Sequence, residues 1–241
     1  MHATTLPVRD PALDLLKWLA MLCMVLDHLR YAGWPQEWLY VPGRLAFPWF
    51  CLAIAANLAR RRDASHDILR WRYLGWLLLF AIISQLPYRW FQPLPAIWNV
   101  LPTLALGLLL ANAFQVRTRS AVLAGLAALV LAVVMQRHLM FGLPGVLLPL
   151  ATLAVLSRPG YWALLPGVLC LAGNVWPMLL DAARHGDPAA YGGIAACLLG
   201  PWLGMALLKT SPPVAIPPMR RWAYAIYPLH FLLLIGLRKF I

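Results

Sequence analysis

Lys17 and His28 are the two residues of this sequence whose types and spacing most invite chemistry. They stand eleven positions apart, close to three helical turns, so on a helix they share one face about 16 Å apart along the axis. Met21 and Met24 complete that stripe. Asp27 is turned by about 100° from His28, onto the stripe of Leu16, Ala20 and Cys23. An ammonium group can hold phosphates, and an imidazole can accept a proton near neutral pH. One helix would thus carry a phosphate anchor at one end and a base beside a carboxylate at the other.

The run that carries these groups, Leu13 to Arg30, is otherwise apolar enough to enter a bilayer. Each charge near the centre of such a span costs roughly 2.5–3.5 kcal/mol, so its polar groups need partners or a purpose. Plainer roles exist for each of them. Lys17 can snorkel to headgroups, and Asp27 and His28 can be interfacial residues at the end of the span. A secretory signal peptide is not expected, because Asp10 and Asp14 spoil a basic n-region and Leu29 to Gly33 is a poor cleavage site.

The elements that must position these residues are membrane helices. The 241 residues are 62% hydrophobic and only 12% charged, and the mean hydropathy of +0.72 excludes an ordinary soluble fold. The net charge of +12 comes from basic residues scattered between apolar runs. That pattern fits membrane orientation and gives no basic stripe for nucleic acid. Cys23, Cys51, Cys170 and Cys197 all lie in apolar runs without a Cys-x-x-Cys pair, which suggests core residues, no disulfide framework and no metal.

Apolar runs of spanning length fall at about 13–29, 44–59, 71–87, 98–114, 120–136, 140–157, 161–180, 191–208 and 222–238. The expected fold is therefore all-α: a polytopic membrane helix bundle of about nine transmembrane helices, residues 1–241 forming a single domain. Arg60, Arg61, Arg62, Arg70 and Arg72 crowd the second connection and mark it as cytoplasmic. Alternation then puts the N-terminus in the cytoplasm, with twelve basic residues on that side and seven outside. Thr210 to Pro218, with four prolines, reads as a stiff inner linker.

In this topology Lys17 faces the cytoplasm and His28 the outer side, where other polar groups converge. Arg44 opens the second span, Arg89 ends the third, Asn99 opens the fourth and Tyr191 opens the eighth, while His230 lies within the ninth, two residues after Pro228. Asn99 is also a good helix N-cap, and His230 can satisfy the carbonyl that Pro228 frees. Arg44 and Arg89 can be anchors, and Asn174 before Pro177 suggests a structural polar residue. Two classes of function fit. One is an enzyme that moves a small group with His28 as base; the other is a proton-coupled carrier using Asp27, His28 and His230. The separation of Lys17 from His28 favours the enzyme, because a polyphosphate donor held at the lysine could extend an arm to the histidine.

The Lys17-x10-His28 spacing resembles the basic-x10-histidine signature of the type 3 superfamily of integral-membrane acyltransferases. The fuller pattern is similar to the TraX family, named for the conjugative pilin acetylase. It is carried by the run from Leu15 to His28, Gly43-Arg44-Leu45-Ala46-Phe47-Pro48-Trp49-Phe50 and Ile83-Ser84-Gln85-Leu86-Pro87-Tyr88. It continues in Asn99-Val100-Leu101-Pro102-Thr103-Leu104-Ala105-Leu106-Gly107 and in Ala223-Tyr224-Ala225-Ile226-Tyr227-Pro228-Leu229-His230. The resemblance implies transfer of an acetyl group from acetyl-coenzyme A to the N-terminus of a pilin subunit in the bacterial inner membrane, among membrane lipid. Relatives in the superfamily acylate polysaccharides or lipid-linked sugars, an alternative acceptor class. On this reading His28 is the general base and His230 a second acid, base or orienter. Asp27 or a nearby group sets the tautomer of His28; since neighbouring positions on a helix do not face each other, Asp27 can instead pair with Arg44. Arg44 or Asn99 stabilises the oxyanion, and Lys17, helped by the basic residues of the 60–72 loop, binds the donor.

The topology makes a direct prediction. On a background lacking the four native cysteines, Gln36→Cys reacts with an impermeant thiol reagent from outside and Ser65→Cys does not. The reverse pattern would turn the orientation over.

Overall fold

The computed structural model describes residues 9–34, 36–60, 71–92, 96–158, 160–174 and 176–240. Arg61, Arg62 and Arg70 of the expected cytoplasmic loop lie outside the described residues. Ten α-helices appear among those described: α1 Pro11–Leu29, α2 Tyr40–Ala59, α3 Trp71–Phe91, α4 Val100–Val116, α5 Arg119–Val134, α6 Gly142–Ser157, α7 Leu165–Gly173, α8 Trp176–Arg184, α9 Pro188–Leu207 and α10 Ile226–Leu237.

Local chemistry sets many of the boundaries. Asp10 caps α1 by accepting from Leu13 N at 3.0 Å, with Pro11 in the first turn. Asn99, Thr118 and Asp187 cap α4, α5 and α9 in the same way. Arg117, at φ 59°, ends α4, and the left-handed pair Phe141 and Gly142 turns the chain into α6.

α2 is the central helix. It packs against α1, α4, α6 and α9, and its buried Ala46, Ala53, Ala55 and Ala56 let those neighbours approach on several sides. α3 packs on α10 and α4, while α5 lies outside against α4 and α6. The outer face of α5 exposes Leu123, Leu126, Val130 and Val134, the surface that a lipid-facing helix requires. All four cysteines are free and buried, in keeping with core roles.

Among the described residues, Glu37–Ala59 and Pro188–Leu207 are long and apolar enough to cross a membrane, and a third span exists if Trp162–Gly173 and Pro177–Arg184 are counted as one. Val100–Val116, Arg119–Val134, Gly142–Ser157 and Arg221–Leu237 are shorter apolar helices. α1 and α3 reach 19 and 21 residues but carry charge, Asp14, Lys17 and Asp27 in α1 and Arg72 and Arg89 in α3. The described residues thus form an all-helical membrane protein, with fewer unambiguous spans than the nine that hydropathy suggests. The expected span at 161–180 differs most: α7 and α8 meet at 87°. Asn174 leaves helical geometry at φ −104° and ψ 71°, and Pro177 sits in the first turn of α8, where its missing N–H is tolerated.

The end of the bundle bearing Lys17 is tied together by polar contacts. Arg60, at the end of α2, bonds Asp10. The proline-rich segment after α9 lies across the start of α1, where Arg9 donates to Ile216 O and Trp18 Nε1 to Pro217 O at 3.0 Å.

Close helix packing generates a stability prediction. A Cβ on Gly167 would lie 2.5 Å from the backbone oxygen of Leu198, whereas one on Gly75 would meet nothing within 4 Å. Gly167→Ala must push α7 off α9 and should lower thermal stability in detergent by about 1–3 kcal/mol, the usual cost of overpacking. Gly75→Ala should be neutral or stabilising. Equal melting temperatures for the two variants would contradict this packing.

Candidate active site

α1 presents its polar residues at two places, as the spacing of Lys17 and His28 requires. At its start, Lys17 and Met21 line a cavity of about 420 Å³, within the size range of small-molecule sites. α3 contributes Tyr73 and Leu77, α4 contributes Val100, Leu101 and Leu104, the turn before α10 contributes Tyr224 and α10 itself Tyr227. Arg220 and Arg221, from the turn before α10, join Lys17 in the wall. Lys17 also bonds the buried carboxylate of Asp14 at 3.4 Å, which takes a second bond from Arg9 at 3.1 Å.

At the other end of α1, His28 meets α10. Its Nδ1 lies 2.8 Å from Nε2 of His230, and Nδ1 of His230 lies 3.2 Å from the carbonyl oxygen of Ile226. The two rings are nearly parallel, 7° apart, and are walled by Phe91 and Phe231. Tyr227 connects this pair to the cavity: it lines the cavity, and its ring centroid is 5.6 Å from that of His230.

Asp27 points away from His28 into a buried ion cluster. Its Oδ2 accepts from Arg44 Nη2 at 3.0 Å and its Oδ1 from Arg30 Nη2 at 2.8 Å, so the expected Asp27–Arg44 pair is present. Arg44 also donates to the side-chain oxygen of Asn174 and to Tyr40 O, and packs over the Tyr40 ring at 4.0 Å. Asn174 Nδ2 in turn donates to Cys170 O at 2.7 Å. The cluster therefore links α1, α2 and the bend after α7. Gly43 permits the close approach, since a Cβ there would lie 2.4 Å from the Asp27 carboxyl carbon.

Asn99 is fully buried and acts as a cap. Its side-chain oxygen accepts from Leu101 N at 3.1 Å, and its amide nitrogen donates to Ala81 O and to Gln85 Oε1, both at 2.7 Å. Arg89 and Tyr191, two further polar residues of the expected outer face, are exposed on the helix surface.

The structure thus brings Asp27 and Arg44 into one cluster and His28 and His230 into another, with Lys17 on the cavity wall. Sequence reasoning missed Arg30, Asn174, Arg220 and Arg221 as site residues. Arg30 stands three positions after Asp27, a helical pairing distance visible in the sequence. Arg220 and Arg221 are separated from Lys17 by most of the chain, and only folding brings them to it.

Comparison with known proteins adds the family. A family profile described as TraX protein matches residues 12–238. Protein TraX of Escherichia coli is 37% identical over 76 residues, 31% of this chain and 29% of that protein. Protein TraX of Escherichia coli strain K12 aligns with the same identity and coverage. The alignments thus span about three tenths of the length of these curated relatives. No solved structure matches. The profile takes in α1, whose Lys17 and His28 define the two ends of the site, and α10, which supplies His230. The chain belongs to the TraX family.

Proposed function

We propose that this chain is an integral-membrane acyltransferase that moves an acetyl group from acetyl-coenzyme A to the N-terminus of a pilin subunit, with His28 as general base. Its place on this reading is the bacterial inner membrane, crossed about nine times, with the start of α1 toward the cytoplasm. The observation that carries the reading is the hydrogen-bond chain from His28 through His230 to Ile226 O. A carbonyl oxygen only accepts, so Nδ1 of His230 carries the proton in that bond. Nε2 of a neutral His230 then accepts, and Nδ1 of His28 donates. The lone pair of His28 is left on Nε2, which is the atom a general base requires.

The donor occupies the cavity, its phosphates beside Lys17, Arg220 and Arg221 and its pantetheine arm directed toward Tyr227. The acceptor amine attacks the thioester carbonyl carbon as His28 Nε2 takes its proton. The carbon–sulfur bond then breaks, and the proton passes to the departing thiolate. Asp27, held by Arg30 and Arg44, anchors the His28 end of α1. The guanidinium of Arg44 and the amide of Asn99 are engaged with protein partners, so their part is to position helices. A hydroxyl acceptor on a sugar would follow the same course.

Two measurements test this. With purified protein, acetyl-coenzyme A and a pilin N-terminal peptide, His28→Gln should lower turnover about 10²–10⁴-fold, with coenzyme A binding little changed. A folded His28→Gln protein that releases coenzyme A at the wild-type rate would end the catalytic assignment. Lys17→Glu should weaken coenzyme A binding in direct titration while Lys17→Arg retains it. Equal affinity in wild type and Lys17→Glu would return Lys17 to the role of headgroup anchor.

A further inference from the structure

Three buried side-chain groups on one turn of α3 make no hydrogen bond to the described residues: Ser84 Oγ, Gln85 Nε2 and Tyr88 OH. In an apolar bundle such groups are costly unless something else satisfies them. Tyr73, Leu77, Ala81, Ser84, Tyr88 and Phe91 follow one another at steps of three or four, so they form one stripe of α3. Tyr73 and Leu77 line the cavity, and Phe91 packs on His28 with centroids 5.6 Å apart. The unpartnered groups therefore lie on the stretch between the cavity and the base.

The neighbouring helices confirm that placement. Gln85 Oε1 accepts from Asn99 N and Nδ2, next to Val100, whose backbone N–H reaches Tyr227 OH at 3.4 Å. Val100 and Tyr227 are themselves cavity wall. Tyr88 packs edge-on against Phe231, which lies against both His28 and His230. With the amide of Asn99 engaged, Ser84 Oγ, Gln85 Nε2 and Tyr88 OH are donors left over on this stretch; of these, Tyr88 adjoins the Phe231 that walls the histidines and Gln85 adjoins the start of α4 at the cavity wall.

The geometry points to Tyr88 and Gln85 as the donors that hold the thioester carbonyl oxygen of the acyl donor during transfer. This assignment rests on the acyltransferase reading given above. When the acceptor nitrogen bonds to the carbonyl carbon, the π electrons move onto that oxygen, and the proton of the nitrogen goes to His28 Nε2. The Tyr88 O–H and a Gln85 N–H bond the oxyanion until the electrons return, the carbon–sulfur bond breaks and the thiolate takes the proton. Donors that have no partner in the resting protein give up nothing to make these bonds, which is the condition for strong stabilisation in a dry site.

Tyr88→Phe removes a hydroxyl with no partner to lose. A merely structural tyrosine would leave turnover unchanged, and thermal stability would hold or rise. An oxyanion donor gives a different result: kcat falls about 10²–10³-fold, while the KM for acetyl-coenzyme A and the titrated coenzyme A affinity stay close to wild type. Gln85→Glu keeps the oxygen that serves Asn99, removes the amide donors and should lower the same parameter. A folded Tyr88→Phe protein with wild-type kcat, or one altered only in KM, overturns the assignment. If His28→Gln is slow in that assay and Tyr88→Phe is not, the oxyanion assignment alone falls. If the wild-type protein releases no coenzyme A, the acyltransferase reading falls with it.

Discussion

A carboxylate buried among apolar helices has to be neutralised, and Asp27 meets that constraint with two arginines. Removing one partner of such a pair typically costs about 3–5 kcal/mol, because a charge is left unpaired. The need reaches well beyond the pair. Gly43 has to lack a side chain so that α2 can approach. Arg44 has to reach from α2 past the ring of Tyr40, and Asn174 at the α7–α8 bend has to orient the far side of the guanidinium. With that end of α1 fixed against α2, His28 is turned toward α10 on one side of the helix. Lys17 falls on the cavity three turns away.

How much of this could be read beforehand depended on whether the partners share an element. Lys17 and His28 lie on one helix, so their spacing alone predicts a common face and an axial separation. The N-cap at Asn99 is equally local: a side chain that reaches the next turn leaves its mark within a few residues. Asp27 with Arg44 was accessible because adjacent helix positions cannot pair, which leaves Asp27 seeking a cation from the next helix. Contacts between distant segments leave no such trace. Nothing in the sequence links Arg44 to Asn174, and Arg220 and Arg221 read there as orientation charges. The break between α7 and α8 hides in hydropathy, because 161–180 is apolar across a bend as it would be along a straight helix. The run from Ser84 to Tyr88 is visible as a pattern, but that its donors lack partners emerges only when the neighbours are in place.

Three helices give the site its shape in the same manner. α1 runs from Lys17 to His28, α3 from Tyr73 to Phe91, and α10 with the turn before it from Tyr224 to His230. Each repeats at three or four residues, and each begins in the cavity and ends at the histidines. The cavity thus sets cationic side chains from Lys17, Arg220 and Arg221 beside apolar and aromatic ones, a lining suited to a ligand that is charged at one end and uncharged at the other.

The histidine pair is also a cul-de-sac for protons. Its chain ends on the carbonyl oxygen of Ile226, a group that accepts hydrogen bonds but is far too weak a base to hold a proton. A charge picked up at His28 can be shared with His230 and go no further, so it must leave through the atom by which it came. Such a dead end suits a base that borrows a proton and returns it within one catalytic cycle. A conducting wire needs an exit on the opposite side, and among the described residues this pair shows none.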